Sequence, residues 1–167
     1  MAFSLLPDFC CDSIYDIDPQ ALKRRGVSLL LADLDNTLIS YGETLPNESL
    51  RQFVQTLKEA GITLFLLSNS RKPVRPKRFA EALGIPYLGH AGKPKTAGYL
   101  RAMEQMGRSK HETMMVGDQI FTDVLGAKRT GIPVILVKPI QLAGNPGRYL
   151  RYAAELPMRT IKKGSRL

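Results

Sequence analysis

The sequence predicts an α/β protein with a central parallel sheet and helices on both faces. Three observations predict it. Short apolar runs of strand length alternate with amphipathic stretches of helix length, and glycine followed by Ile or Val recurs where one gives way to the next. The third is composition: 167 residues, 44% hydrophobic and 23% charged, is ordinary globular usage and excludes a disordered chain. A chain of this length buries roughly two thirds of its unfolded surface and needs no covalent staple. One domain over 1–167 is therefore expected, with an N-terminal extension over 1–25 and a basic C-terminal segment over 138–167.

Four apolar runs, Val27 to Ala32, Thr63 to Leu67, Thr113 to Val116 and Pro133 to Val137, are too short for helices and too continuous for half-exposed strands, which makes them buried parallel strands. Between them, Glu48 to Ala60, Pro76 to Leu83, Thr96 to Met106 and Phe121 to Thr130 have helical spacing and each stops at a glycine. Gly26-Val27, Gly61-Ile62, Gly84-Ile85 and Gly131-Ile132 read as helix C-caps that lead into the next strand. Residues 1–25 are expected to form a leading turn and helix packed on the sheet. A further helix is expected around Arg148 to Glu155, before a loose tail. Repeated strand–helix units place any ligand site at the carboxyl ends of the strands.

With 24 Lys+Arg against 15 Asp+Glu the formal charge is +9, which favours an anionic partner without choosing among nucleic acid, acidic lipid and phosphorylated substrate. Basic motifs interleaved with aromatics are absent, so no nucleic-acid partner is expected, and a nucleic-acid or ribosome-binding module is the minority alternative. Cys10 and Cys11 are adjacent, a spacing that rarely permits a bridge, and are read as reduced packing residues of a cytoplasmic protein. No signal peptide is visible, and no apolar run approaches the ~20 residues of a membrane span. His90 and His111 are isolated and are read as structural or exposed.

The chemistry-bearing residues follow the strands. The first strand runs into Asp33-Leu34-Asp35-Asn36-Thr37, which puts two carboxylates at a strand end, although Asp-x-Asp there serves equally to begin a loop. The second ends in Ser68-Asn69-Ser70, whose hydroxyl, amide and backbone N–H groups suit phosphate oxygens as well as ordinary N-capping. Lys93 precedes a predicted helix, and Gly117-Asp118 with Asp123 returns two more acids to the same edge. Four carboxylates brought together in a strongly basic chain call for a hard divalent cation.

These four segments, in this order and spacing, resemble the motifs of the haloacid dehalogenase (HAD) superfamily of phosphatases. The chain most resembles small members of subfamily IIIA of the YqeG type, related to phosphatidylglycerophosphate phosphatases, over residues 5 to about 140. The resemblance implies a HAD-like Rossmannoid three-layer α/β/α sandwich with a central parallel sheet. It implies Asp33 as the nucleophile that forms an aspartyl-phosphate and Asp35 as the group that protonates the leaving oxygen and then activates water. It also implies Mg2+ held by Asp33, the Asp35 backbone carbonyl and Asp118. Asp123 is expected to fix Asp118 or Lys93, while Lys93, Ser68, Asn69 and Thr37 bind the phosphoryl group.

Only 32 residues separate Asp35 from Ser68 and 24 separate Ser68 from Lys93, so each interval holds one helix and no cap domain. By analogy with the superfamily, an uncapped site takes a bulky substrate or borrows a lid from another subunit, which leaves an oligomer open. The run Arg71-Lys72-Pro73-Val74-Arg75-Pro76-Lys77-Arg78 carries five basic residues, and its two prolines are expected to delay the following helix. It is read either as a solvated loop or as a rim that captures a polyanion or rests on an anionic membrane. Arg159, Lys162, Lys163 and Arg166 of the tail offer the same. The expected reaction is hydrolysis of a phosphomonoester, with phosphatidylglycerophosphate as substrate; the alternative is a soluble nucleotide or sugar phosphate.

Overall fold

The computed structural model describes residues 5–70, 72, 74–142 and 146–161, with the side chains of 160 and 161 excepted. Arg71 and Pro73 of the basic run, and Lys162, Lys163 and Arg166 of the tail, lie outside the described residues. Six strands, β1 (Phe9–Cys11), β2 (Leu29–Ala32), β3 (Thr63–Leu67), β4 (Tyr87–Leu88), β5 (Thr113–Gly117) and β6 (Val134–Val137), form one sheet in the order β1-β6-β5-β2-β3-β4. Every pairing is parallel. The helices are α1 (Pro19–Arg24), α2 (Glu48–Glu59), α3 (Val74–Leu83), α4 (Thr96–Met106), α5 (Leu125–Thr130) and α6 (Pro146–Ile161).

Alternation along the strands sorts the core into two halves. Leu30, Ala32, Leu64 and Leu66 pack with Leu50 and Leu57 of α2 and Phe79 of α3. Leu29, Leu31, Phe65 and Leu67 face the other way, onto Tyr99 and Met103 of α4 and Ala127 of α5. Burial on both faces explains why these strands read as unbroken apolar runs. The result is the expected α/β/α sandwich. The interval from Asp35 to Ser68 holds α2 and β3, and that from Ser68 to Lys93 holds α3 and the two-residue β4, so among the described residues no cap domain is inserted in either. All four Gly-Ile and Gly-Val junctions have positive φ, between 64° and 80°, at helix ends where a side chain would be strained.

The structure departs from the sequence-based expectations at the margins. The edge strands β1 and β4 were not predicted: three and two residues, each following a proline two or one positions earlier, are too short to carry a period. Helix α3 begins at Val74, ahead of Pro76, so that proline does not delay it. Pro76 sits in the first turn, where its missing N–H would have no partner within the helix. The helix expected from Phe121 begins instead with a π-helical turn, Ile120–Val124, closed by the Val124 N–H on the Gln119 carbonyl at 3.2 Å. Helix α6 runs well beyond 148–155 and continues through Pro157.

Candidate active site

Chain order reverses between β2 and β5: β2 leads outward to β3 and β4, and the chain then crosses back to β5 on the other side. Such a switch point opens a crevice above the carboxyl ends of the strands. Ala32 is level with Val116, and the Asp33 N–H donates to the Val116 carbonyl at 3.1 Å, so Asp33 and Asp118 emerge side by side. A cleft of about 370 Å³ lies there, floored by Asp33, Asp118 and Lys93 and walled by Asn69 and Ser70.

The floor is buried and charged. Lys93 Nζ donates to Asp33 Oδ1 at 2.6 Å and to Asp123 Oδ1 at 2.7 Å. The second Asp123 oxygen accepts the Gln119 N–H at 3.1 Å, and the Thr37 hydroxyl donates to Asp118 Oδ1 at 3.3 Å. One carboxylate oxygen from each of Asp33, Asp118 and Asp123 lies within 4.8 Å of the others. A Cβ at Gly117 would collide with the Asp123 carboxylate, so glycine ahead of Asp118 is what permits that packing. The Tyr99 hydroxyl braces the loop against the Thr122 and Asp123 carbonyls, at 3.3 Å each.

Three acids against one lysine leave excess negative charge in a water-poor place. Burial, reinforced by Asp33 and Asp123, raises the Asp118 carboxyl well above the usual carboxylate range. Burial likewise pushes Asp123 up to about 6, although Lys93 opposes the rise. On Lys93 burial disfavours the charge, but Asp123 and Asp33 outweigh it and hold the ammonium protonated far above neutral pH. An all-oxygen set of carboxylates with unrelieved negative charge matches the donors that hard divalent cations take, so these residues fit such an ion.

Asp35 lies apart from that cluster. Its carboxylate receives Arg75 Nη1 at 2.5 Å, while the same guanidinium donates to the carbonyls of Ser40, Tyr41 and Glu43. Burial raises its carboxyl, Arg75 and Arg148 oppose the rise, and Asp33 adds to it. Asn36 makes the turn possible: at φ 63° it occupies the left-handed region that Asn tolerates, and its carbonyl accepts the Ile140 N–H at 3.1 Å. The Asn69 amide is locked against the Lys93 backbone, accepting at 2.8 Å and donating at 2.9 Å. Ser68 and Thr37 are buried and do not line the cleft; Ser68 Oγ accepts the Ser70 N–H at 3.1 Å. Arg75 is no free rim cation, because its guanidinium is engaged inside the molecule.

Sequence reasoning missed the contribution of α6. Glu155, 1% exposed, accepts the N–H groups of Ile120 at 2.8 Å and Phe121 at 3.3 Å and pairs with Arg159 at 2.7 Å. Arg159 also donates to the Asp118 carbonyl. These contacts lay α6 against the π-helical turn and bring Arg148, Arg151 and Tyr152 to the mouth of the cleft. One signal pointed to Glu155: it is the single acid among seven basic residues in 138–167.

Comparison with known proteins agrees with this geometry. The family profile described as haloacid dehalogenase-like hydrolase matches residues 6–131. The chain is 36% identical over 156 residues to the "Probable phosphatase YqeG" of Bacillus subtilis, covering 93% of this chain and 89% of that one. It is 29% identical over 172 residues to the "Phosphatidylglycerophosphate phosphatase 1, chloroplastic/mitochondrial" of Arabidopsis thaliana, covering 96% of this chain but spanning only 49% of that protein. Among solved structures, an uncharacterized protein from Listeria monocytogenes matches with a TM-score of 0.56, 18% identity and coverage of 80% of this chain and 99% of that one. A 3-deoxy-D-manno-octulosonate 8-phosphate phosphatase from Yersinia pestis matches with a TM-score of 0.52 and 18% identity, covering 94% and 97%. At these identities the structural matches show the shared fold.

Proposed function

The chain belongs to the haloacid dehalogenase-like hydrolases and is a phosphatase of that superfamily, and from this premise we propose that it is a Mg2+-dependent phosphomonoester hydrolase that works through an aspartyl-phosphate on Asp33, with phosphatidylglycerophosphate as substrate and phosphatidylglycerol as product. The observation that carries the chemistry is the convergence of Asp33, Asp118 and Lys93 on one cleft floor. Support for the lipid comes from the relative named a phosphatidylglycerophosphate phosphatase, of which this chain spans about half, and from an uncapped cleft rimmed by arginines. Among the described residues no helix is long and apolar enough to cross a membrane, so a lipid phosphate would be met at the bilayer surface.

Phosphate monoesters hydrolyse so slowly that positioning and charge neutralisation must supply most of the acceleration. Asp33, Asp118 and the Asp35 backbone carbonyl would hold the cation, which offsets the repulsion between an anionic nucleophile and the phosphoryl oxygens. The Asp33 carboxylate attacks phosphorus as the ester P–O bond breaks, and protonated Asp35 gives its proton to the departing oxygen. Asp35 then takes a proton from water, whose oxygen attacks phosphorus and frees Asp33 and inorganic phosphate. Lys93 stays charged throughout, placed by Asp123, and with Asn69 grips the phosphoryl oxygens. Ser68 and Thr37 back this wall, Thr37 by orienting Asp118.

The test is phosphate release from phosphatidylglycerophosphate in anionic vesicles with Mg2+, beside Asp33→Asn. Release by the wild type alone supports the reading. Silence on the lipid with good turnover of a nucleotide or sugar monophosphate would refute the lipid assignment and leave the soluble-metabolite alternative.

A further inference from the structure

The cations around the cleft divide into two kinds. Lys93 is paired with Asp33 and Asp123, and Arg159 with Glu155, so their charges are matched inside the protein. Arg148 and Arg151 also line the cleft, and no carboxylate lies within ion-pair distance of either among the described residues. The Arg148 guanidinium stacks on the Tyr41 ring at 4.0 Å from its centroid. Stacking uses the face of the group and leaves its in-plane N–H donors unengaged. Arg151 gives one N–H to Gln119 Oε1 at 2.7 Å, and Gln119 directly follows Asp118. Three positions apart on α6, the two side chains are neighbours on one helix face. Each is held by a neutral partner in a fixed place beside the cleft floor, without a direct ion pair among the described residues; Arg148 feels the Asp35 carboxylate only across a longer gap.

We propose that Arg148 and Arg151 form a second anion site at the cleft mouth, which selects phosphomonoesters that carry another anionic group, a phosphodiester or a carboxylate, a few bonds from the transferred phosphoryl. The proposal rests on the phosphatase reading above and deepens it by assigning the residues that choose the substrate. The floor already supplies Lys93 and a cation site for the transferring group, so two guanidinium groups at the mouth without direct ion pairs are placed to serve a second one. Paired guanidinium forks suit planar or tetrahedral oxyanions, which they bind by parallel hydrogen bonds.

Three soluble substrates separate the outcomes without the complication of a bilayer. Glycerol phosphate has no second anion, phosphoglycerate adds a carboxylate, and deacylated glycerophosphoglycerol phosphate adds a phosphodiester. The wild type is expected to show kcat/KM at least about tenfold higher for one or both of the doubly anionic substrates than for glycerol phosphate, and the arm that shows it identifies the anion. The double substitution Arg148→Gln, Arg151→Gln should lower that ratio by about tenfold, chiefly through KM, and Arg148→Lys, Arg151→Lys should restore part of it. A thermal melt checks that the variants remain folded. The proposal is overturned by a wild type that treats all three substrates alike, or by a preference that the glutamine variant keeps. If the wild type turns over a nucleotide or sugar monophosphate but neither doubly anionic substrate, this proposal fails while the phosphatase reading stands; loss of all turnover on every phosphomonoester tried, the lipid included, would instead count against the reading it rests on.

Discussion

Glu155 carries the docking of α6, and its removal has a calculable cost. Its two oxygens accept two backbone N–H groups and one guanidinium, in a position 1% exposed to solvent. Glu155→Ala leaves the Ile120 and Phe121 N–H groups without their charged acceptor, where each such bond contributes about 1.5–3 kcal/mol. It also strands Arg159, whose side chain is 10% exposed. Breaking one half of a buried pair typically costs about 3–5 kcal/mol, with part of the loss recovered because the carboxylate no longer has to be desolvated. Taken as a global effect at about 2–4 °C per kcal/mol, the expected fall in Tm is about 6–20 °C. If α6 undocks before the rest unfolds, Tm falls less and the amides of α6 and of Ile120–Val124 lose protection from hydrogen exchange. Calorimetry and hydrogen exchange on the same variant distinguish these cases. Stability within 1 kcal/mol of wild type, with α6 protection unchanged, would refute the anchoring role. Glu155→Gln, which keeps an acceptor for the amides and removes the ion pair, should fall between.

Asp123 makes a pH prediction whose sign follows from burial. Its carboxyl is raised to about 6 in the folded chain, so between the ordinary carboxylate value and 6 the unfolded chain loses its proton first and the native state loses stability as pH rises, by up to about 3 kcal/mol. Asn cannot titrate, so in metal-free urea unfolding Asp123→Asn should gain on wild type between pH 4 and 7; a constant gap, or one moving the other way, contradicts the account. Gly98→Ala tests packing against propensity. Alanine favours a helix by about 1 kcal/mol, but a Cβ at Gly98 would strike the Ala91 carbonyl oxygen, and overpacking typically costs about 1–3 kcal/mol. Denaturant unfolding should show net destabilisation, and a stabilised variant would mean that α4 can move away from Ala91.

What was legible in the sequence was whatever is written locally. Strands β2, β3, β5 and β6 are buried on both faces, so each had to be a continuous apolar run, and their ends delivered Asp33, Ser68 and Asp118 to one edge. Strands β1 and β4 escaped because three and two residues at the sheet edges hold no pattern. Contacts between distant segments also left no local trace. Arg75 lies 40 residues from Asp35, inside a run that reads as solvated charge, yet its guanidinium is tied to that carboxylate and to three backbone carbonyls. Glu155 reaches 35 residues back to the Ile120 N–H, so α6 looked like a terminal helix when it forms part of the cleft. Ser68 lies where its motif places it, at the end of β3, and the part that its sequence position does not tell is local: its hydroxyl accepts the Ser70 N–H.

A single measurement bears most directly on the central role given to Asp33. The wild type is mixed with a substrate labelled with radioactive phosphorus at the monoester, in Mg2+, and quenched in acid within the first turnover. Label should remain on the protein, resist acid, come off with hydroxylamine as an acyl phosphate does, and be missing from Asp33→Asn. Full turnover with no label on the protein at any quench time, or label that persists in Asp33→Asn, would contradict it.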